Sequence, residues 1–134
     1  MRDVVCPAPL QRAAAASGFS PAVRAGDFVY FTGAVGCHDD GSFPASAAQQ
    51  TRIALAKVGA ILDALDAGRD ALVECTSYHT NIRDEFDSVQ NALTDALGTP
   101  LPAWTAVEVQ RLRRPGALVE FRCVAHVPIT EARA

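Results

Sequence analysis

Apolar and polar positions along the chain fall into segments of different rhythm. Residues 22–25 and 28–32 are two short runs of Ala, Val, Phe and Tyr on either side of Gly26-Asp27, which predicts a tight hairpin. Gly33 through Pro44 collects Gly, Asp, Ser and Pro and predicts a loop. From 46 to 67 the period turns helical: Thr51, Ala54, Leu55, Val58, Ile61, Leu62 and Leu65 recur at steps of three and four, forming one stripe, and Gly68 supplies a stop. Residues 72–80, rich in Val, Thr and Tyr, predict a strand. A second amphipathic helix follows over 83–97, with Phe86, Val89, Leu93 and Leu97 facing inward and Gly98-Thr99-Pro100 ending it. Strands over 103–109 and 118–127 close the chain, joined through the turn Arg113-Arg114-Pro115-Gly116.

The order β-β-α-β-α-β-β predicts an α+β domain of two layers, a mainly antiparallel sheet with two helices on one face. Along 118–127, Val119, Phe121, Cys123 and Ala125 alternate with Glu120, Arg122, Val124 and His126. The first set suits the helix layer. The second is neither plainly solvated nor plainly core, a character that fits contact with another subunit, so an oligomer is expected.

Composition narrows the classes. With 134 residues, 49% apolar and 20% charged, the chain has material for one core and is too apolar for a disordered segment. A net charge of −3 argues against a nucleic-acid surface. No apolar run approaches the roughly 20 residues of a membrane span. The first residues lack the apolar stretch of a signal peptide, so a cytoplasmic protein is expected. Lys57 is the only lysine; the other basic residues are arginines.

Cys6, Cys37, Cys75 and Cys123 show no CxxC spacing and are expected to be free thiols, with Cys75 and Cys123 as small buried hydrophobes. The Cys37-His38 pair lacks two further partners at a usual spacing, so no metal site is assigned. Tyr78 and His79 fall on opposite faces of one strand and cannot serve one site as a pair. His79 is expected as a hydrogen-bonded core histidine and His126 as exposed. No nucleophile and base share a readable spacing.

Several strings in this order resemble the Rid (YjgF) family of reactive-intermediate deaminases. Gly18-Phe19-Ser20-Pro21-Ala22-Val23 through Thr32-Gly33 resembles its N-terminal signature, and Gln50, Arg52, Leu55 and Val58 resemble its first long helix. Asn81 with Glu85-Phe86 resembles its strand-to-helix turn, with one residue inserted. Pro102-Ala103, Val107-Glu108-Val109 and Leu112 resemble its P-A-R-S block, and Val119-Glu120 with Val124-Ala125 its closing strand. The likeness runs over about 17–127 and reads the whole chain, 1–134, as one such domain.

The resemblance implies a chorismate-mutase-like subunit in a homotrimer, with small-molecule sites between subunits and no metal or organic cofactor. Family members hydrolyse enamines or imines to keto acids and ammonia. An arginine of P-A-R-S holds the substrate carboxylate, and a later glutamate orients water. Here the arginine position carries Trp104, the tyrosine Phe19, the serine Thr32, the helix asparagine Gln90, and the residue after P-A-R-S Ala106. The glutamate is kept as Glu120, one residue further on because the 113–116 turn is longer. Glu108 is a neighbouring carboxylate on the adjacent strand.

Arginine recognises a carboxylate through two parallel charge-assisted bonds, worth roughly 2–5 kcal/mol. Tryptophan offers one N–H and a broad apolar face. Ordinary 2-imino acids are therefore poor candidates, and a bulkier or flatter substrate is expected. Arg122 is a candidate replacement cation, or else a bridge between subunits. Glu120, on the same face as Arg122, is either the water-orienting group or a structural ion-pair partner within the barrel. Three functions remain open: a divergent hydrolase or deaminase of an enamine or imine, a non-catalytic small-molecule-binding or regulatory trimer, and a repurposed cyclisation, condensation or isomerisation catalyst. No nucleic-acid or membrane partner is expected.

Overall fold

The computed structural model describes residues 2–130. Their elements are β1 (Asp3–Val5), α1 (Gln11–Ser17), β2 (Ala22–Ala25), β3 (Phe28–Phe31), β4 (Ala34–Val35), α2 (Ala47–Ala64), β5 (Leu72–His79), α3 (Ile82–Leu97), β6 (Ala103–Glu108) and β7 (Val119–His126), with short 3₁₀ turns at Ala8–Leu10 and Arg69–Ala71. The strands form one sheet in the order β1-β2-β3-β7-β5-β6, with β4 also paired to β7. Every neighbour pair is antiparallel except β5 and β6, which α3 connects as a parallel crossover.

The central strands obey the two-residue period. Val119, Phe121, Cys123 and Ala125 of β7 are buried beneath the helices, as are Cys75, Ser77 and His79 of β5. Glu120, Arg122, Val124 and His126 take the other face. On α2 the predicted stripe of Thr51, Ala54, Leu55, Val58, Ile61 and Leu62 is buried; on α3 Val89 and Leu93 are buried, with Phe86 and Leu97 partly covered. The Gly26-Asp27 hairpin forms as expected, with Ala25 opposite Phe28 and Gly26 at φ 60°.

Three elements depart from the sequence reading. β1 adds a strand outside β2, so the sheet begins earlier than residue 17. The segment read as loop from Gly33 contains β4, which continues along the same side of β7 as β3 after a break at Thr32-Gly33. The alanine run forms a third helix, α1, closed by Gly18 in the left-handed region at φ 78°. It has no side-chain cap and no polar–apolar contrast, which is why periodicity does not reveal it. Helix α2 also stops before Gly68, because Asp66 turns the chain at φ 53°.

Cys75 and Cys123 lie opposite each other on β5 and β7, and both are buried and free. Among the described residues, no helix is long and apolar enough to cross a membrane.

Candidate functional site

The break between β3 and β4 places a backbone without a side chain beside the middle of β7. Gly33 lies directly under the Glu120 side chain, whose Cδ and Oε1 would each stand 2.8 Å from any Cβ added there. One strand over, Tyr78 of β5 is opposite Glu120 in register. This corner opens into a cleft of about 740 Å³, reached by Phe19, Lys57, Arg113, Arg114 and Arg122 and floored by Ala34 and Val35. Glu120 is the one carboxylate among its lining residues. Burial holds its acid above the ordinary carboxylate range, while the Arg113 charge pulls it back.

The β6–β7 loop brings the arginines here. Its anchor is Gln50, a fully buried amide on α2. The Gln50 amide nitrogen donates to the carbonyls of Pro44 (2.8 Å) and Gly116 (2.9 Å), and its oxygen accepts from Leu118 N–H (2.8 Å). One side chain thus ties the loop before α2 to the loop before β7. Gly36 packs on the Gln50 backbone with no room for a Cβ, fixing α2 against β4. Arg114 is held in place: one nitrogen donates to Gly41 O at 3.1 Å, and the guanidinium lies over Phe43 at 5.2 Å. Arg113 lies over the Phe19 ring at 5.5 Å and makes no hydrogen bond or ion pair among the described residues. Lys57 donates to Val35 O at 2.7 Å and approaches the Cys37 sulfur at 3.2 Å.

The residues singled out from sequence fall into two groups. Phe19, Thr32, Glu120 and Arg122 line the cleft just described. Phe19 is 53% exposed, whereas the Thr32 hydroxyl donates to Ser20 O at 2.6 Å and offers a ligand only acceptor capacity. Arg122 shares the face of Glu120 but stands 4.0 Å from Glu74, its ion-pair partner, so a pairing of Glu120 with Arg122 does not form within the chain.

Trp104, Ala106 and Gln90 lie elsewhere. Trp104 and Ala106 are on β6, the strand at the end of the sheet, and Gln90 is on the exposed side of α3. Trp104 turns toward the helices: its ring stacks on Phe86 at 5.1 Å and 7°, and its N–H donates to the Ser77 hydroxyl at 2.8 Å. Ser77 in turn shares a 2.7 Å bond with His79 Nε2. His79 is the core histidine expected, and burial lowers its pKa. Within one chain Trp104 and Phe19 are therefore not walls of the same cleft. Glu108 is corrected from cleft neighbour to helix cap, since its Oε1 accepts from Ile82 N–H at 3.0 Å at the start of α3. His126 is exposed, against Phe28.

Sequence reasoning missed Arg113, Arg114 and Lys57 as cleft residues. The arginines sat beside Pro115-Gly116 and read as a turn; only the Gln50 tether aims them inward.

Comparison with known proteins agrees with this fold. Residues 9–127 match the family model for endoribonuclease L-PSP. The chain is 31% identical over 128 residues to the RutC family protein YjgH of Escherichia coli K12, covering 95% of this chain and 96% of that protein. It is 25% identical over 109 residues to the mitochondrial protein mmf2 of Schizosaccharomyces pombe, 80% of this chain and 86% of that one. A solved structure of YjgH superposes with a TM-score of 0.86 at 31% identity, covering 96% and 98% of the two chains. A Mycobacterium tuberculosis member of the YjgF/YER057c/UK114 family gives 0.77 at 31% identity, covering 95% and 100%.

Proposed function

The chain belongs to the Rid (YjgF, endoribonuclease L-PSP) family, and from that premise we propose that the Glu120 cleft acts on an enamine, imine or related reactive small-molecule intermediate. The observation that carries this is the position of Glu120: one half-buried carboxylate against Gly33, surrounded by cations and apolar walls. A carboxyl raised toward neutrality can accept a proton and give it back. Imine hydrolysis uses both halves of that cycle. Water adds across C=N, its oxygen bonding to carbon, and Glu120 takes the proton released. Glu120 delivers that proton to nitrogen, giving the carbinolamine, then takes the carbinolamine hydroxyl proton and passes it to nitrogen as the C–N bond breaks, releasing a carbonyl compound and ammonia.

The working form in this proposal is a homotrimer. On the sheet face away from the helices Phe28, Tyr30 and Val107 are each more than one-third exposed, an apolar surface that a partner would cover. A neighbour's β6 edge, with Trp104, Ala106 and Gln90 nearby, would then complete the cleft of the next chain. The reaction needs no metal or organic cofactor.

Trp104 stands where the family carries its carboxylate-binding arginine, and its N–H is already spent on Ser77. Small 2-imino acids lose that anchor and are poor substrates. The test is ammonia release from imines made in situ by an amino-acid oxidase. Faster turnover of the imine from phenylalanine than of that from alanine supports the reading. Ammonia release no faster than in the protein-free control, for both imines, counts against it.

A further inference from the structure

Four cations and one carboxylate line the Glu120 cleft, yet the whole chain carries a charge of −3. Such local inversion of charge focuses a positive potential where a small anion would sit. The four are not equivalent. Arg114 and Lys57 spend hydrogen bonds on Gly41 and Val35 and serve as fixed background charge. Arg122 leans toward Glu74. Arg113 alone of the four has no hydrogen-bond or ion-pair partner among the described residues, and its planar fork lies over an exposed Phe19 ring. That fork matches a carboxylate bidentately.

Next to it, beneath α1, is a second space of about 130 Å³ lined by Leu10, Ala14, Phe19, Phe31, Val58 and Ile61 among others. It shares Phe19, Thr32, Gly33 and Ala34 with the charged cleft, so the two are chambers of one site. An apolar cavity of about 150 Å³ holds a benzene molecule. The alanines of α1 leave this chamber open where larger side chains would fill it.

We infer that this cleft carries its own anion anchor, Arg113, and selects a carboxylate whose apolar group of about phenyl size enters the chamber beneath α1. This rests on the reading of the cleft as the small-molecule site, and names the substrate class for it. The anchor thus lies on the β6–β7 loop, beyond the end of the strand that carries Trp104. The Gln50 tether holds that loop in place before the ligand arrives, which lowers the entropy lost on binding.

The test is calorimetric binding of three unreactive probes to the full chain at about 0.05 M salt: 3-phenylpropanoate, its neutral amide, and propanoate. The acid should bind at least about tenfold more tightly than either other probe. Arg113→Ala should weaken the acid about tenfold and leave the amide unchanged, with Arg113→Lys intermediate. Ala14→Phe, which fills the chamber, should weaken the acid and leave propanoate unchanged. Circular dichroism confirms that each variant is folded. Equal binding of acid and amide, or full affinity in Arg113→Ala, overturns the anchor; full affinity in Ala14→Phe overturns the chamber; absence of millimolar binding by the acid overturns both. Glu120→Gln should retain acid binding. If it does while no imine is hydrolysed by the wild type, the substrate-class inference stands and the hydrolytic reading fails.

Discussion

A methyl group on Gly33 would fall 2.8 Å from both Cδ and Oε1 of Glu120. The carboxyl of the candidate base therefore rests on backbone that only glycine leaves open. The consequence is a substitution that separates position from identity. Gly33 has no left-handed φ to strain, and the clashing atoms are the end of a flexible side chain. Gly33→Ala should fold with a melting temperature close to wild type while pushing the carboxylate aside. A displacement of about 1 Å at a reacting group costs about 10²-fold in rate, so kcat should fall on that scale. Steady-state kinetics beside thermal unfolding checks this; unchanged kcat contradicts the placement.

The raised pKa of Glu120 has a stability counterpart. The folded chain holds this proton more tightly than the unfolded chain, whose carboxyl titrates near 4.5. Its contribution favours folding at low pH and is lost as pH rises through the higher folded value. Glu120→Gln cannot ionise. Relative to wild type it should gain stability as pH climbs from 4.5 and level off once Glu120 is fully charged. Urea unfolding of both proteins between about pH 4 and 8 tests the sign. A difference that stays flat, or shrinks with rising pH, contradicts it.

Trp104, Ser77 and His79 form a polar chain inside the helix layer, closed by the Phe86 stack. Ser77→Ala removes the middle member and leaves the indole N–H and an imidazole nitrogen facing apolar surroundings. Each such orphan costs about 1–3 kcal/mol, so with two of them chemical denaturation should show a loss of about 2–6 kcal/mol. Because the Phe86 stack still holds the Trp104 ring when Ser77 is lost, the surface it offers to a neighbouring cleft stays in place, and acid-probe binding should change far less than stability. Loss of binding without loss of stability contradicts this division of roles.

Phe28, Tyr30, Val73 and Val107 are exposed on described surfaces of a chain whose core is otherwise well closed. Covering them by assembly predicts a mass near three times 14.2 kDa in light scattering. Phe28→Asp with Tyr30→Asp should lower that mass. A monomeric wild type at micromolar concentration contradicts the shared site.

Much of the fold was legible in residue order alone. Two long helical stripes and the alternation of residues 118–127 fixed both layers and put Glu120 opposite the helices. β1 and β4, three and two residues long, are too short to carry a period. Helix α1 is a run of alanines without contrast. Of the candidate cleft, the grouping of Glu120, Phe19 and Thr32 was legible from strand alternation and from resemblance to a family. The cleft was hidden where long-range tethers set it. Arg113 belongs to the cleft because Gln50, far back on α2, grips Gly116 and Leu118. Glu108 caps α3 because the parallel β5–β6 pairing carries it back beside Ile82.

If Glu120 handles the proton in this cleft, turnover must depend on its ability to ionise. Turnover of the phenylalanine-derived imine is measured for wild type and Glu120→Gln at equal folded concentration. Glutamine keeps the size and hydrogen-bonding reach but cannot take a proton from water. A fall in kcat of about 10²–10⁴-fold with KM little changed is expected. Full activity in Glu120→Gln contradicts it.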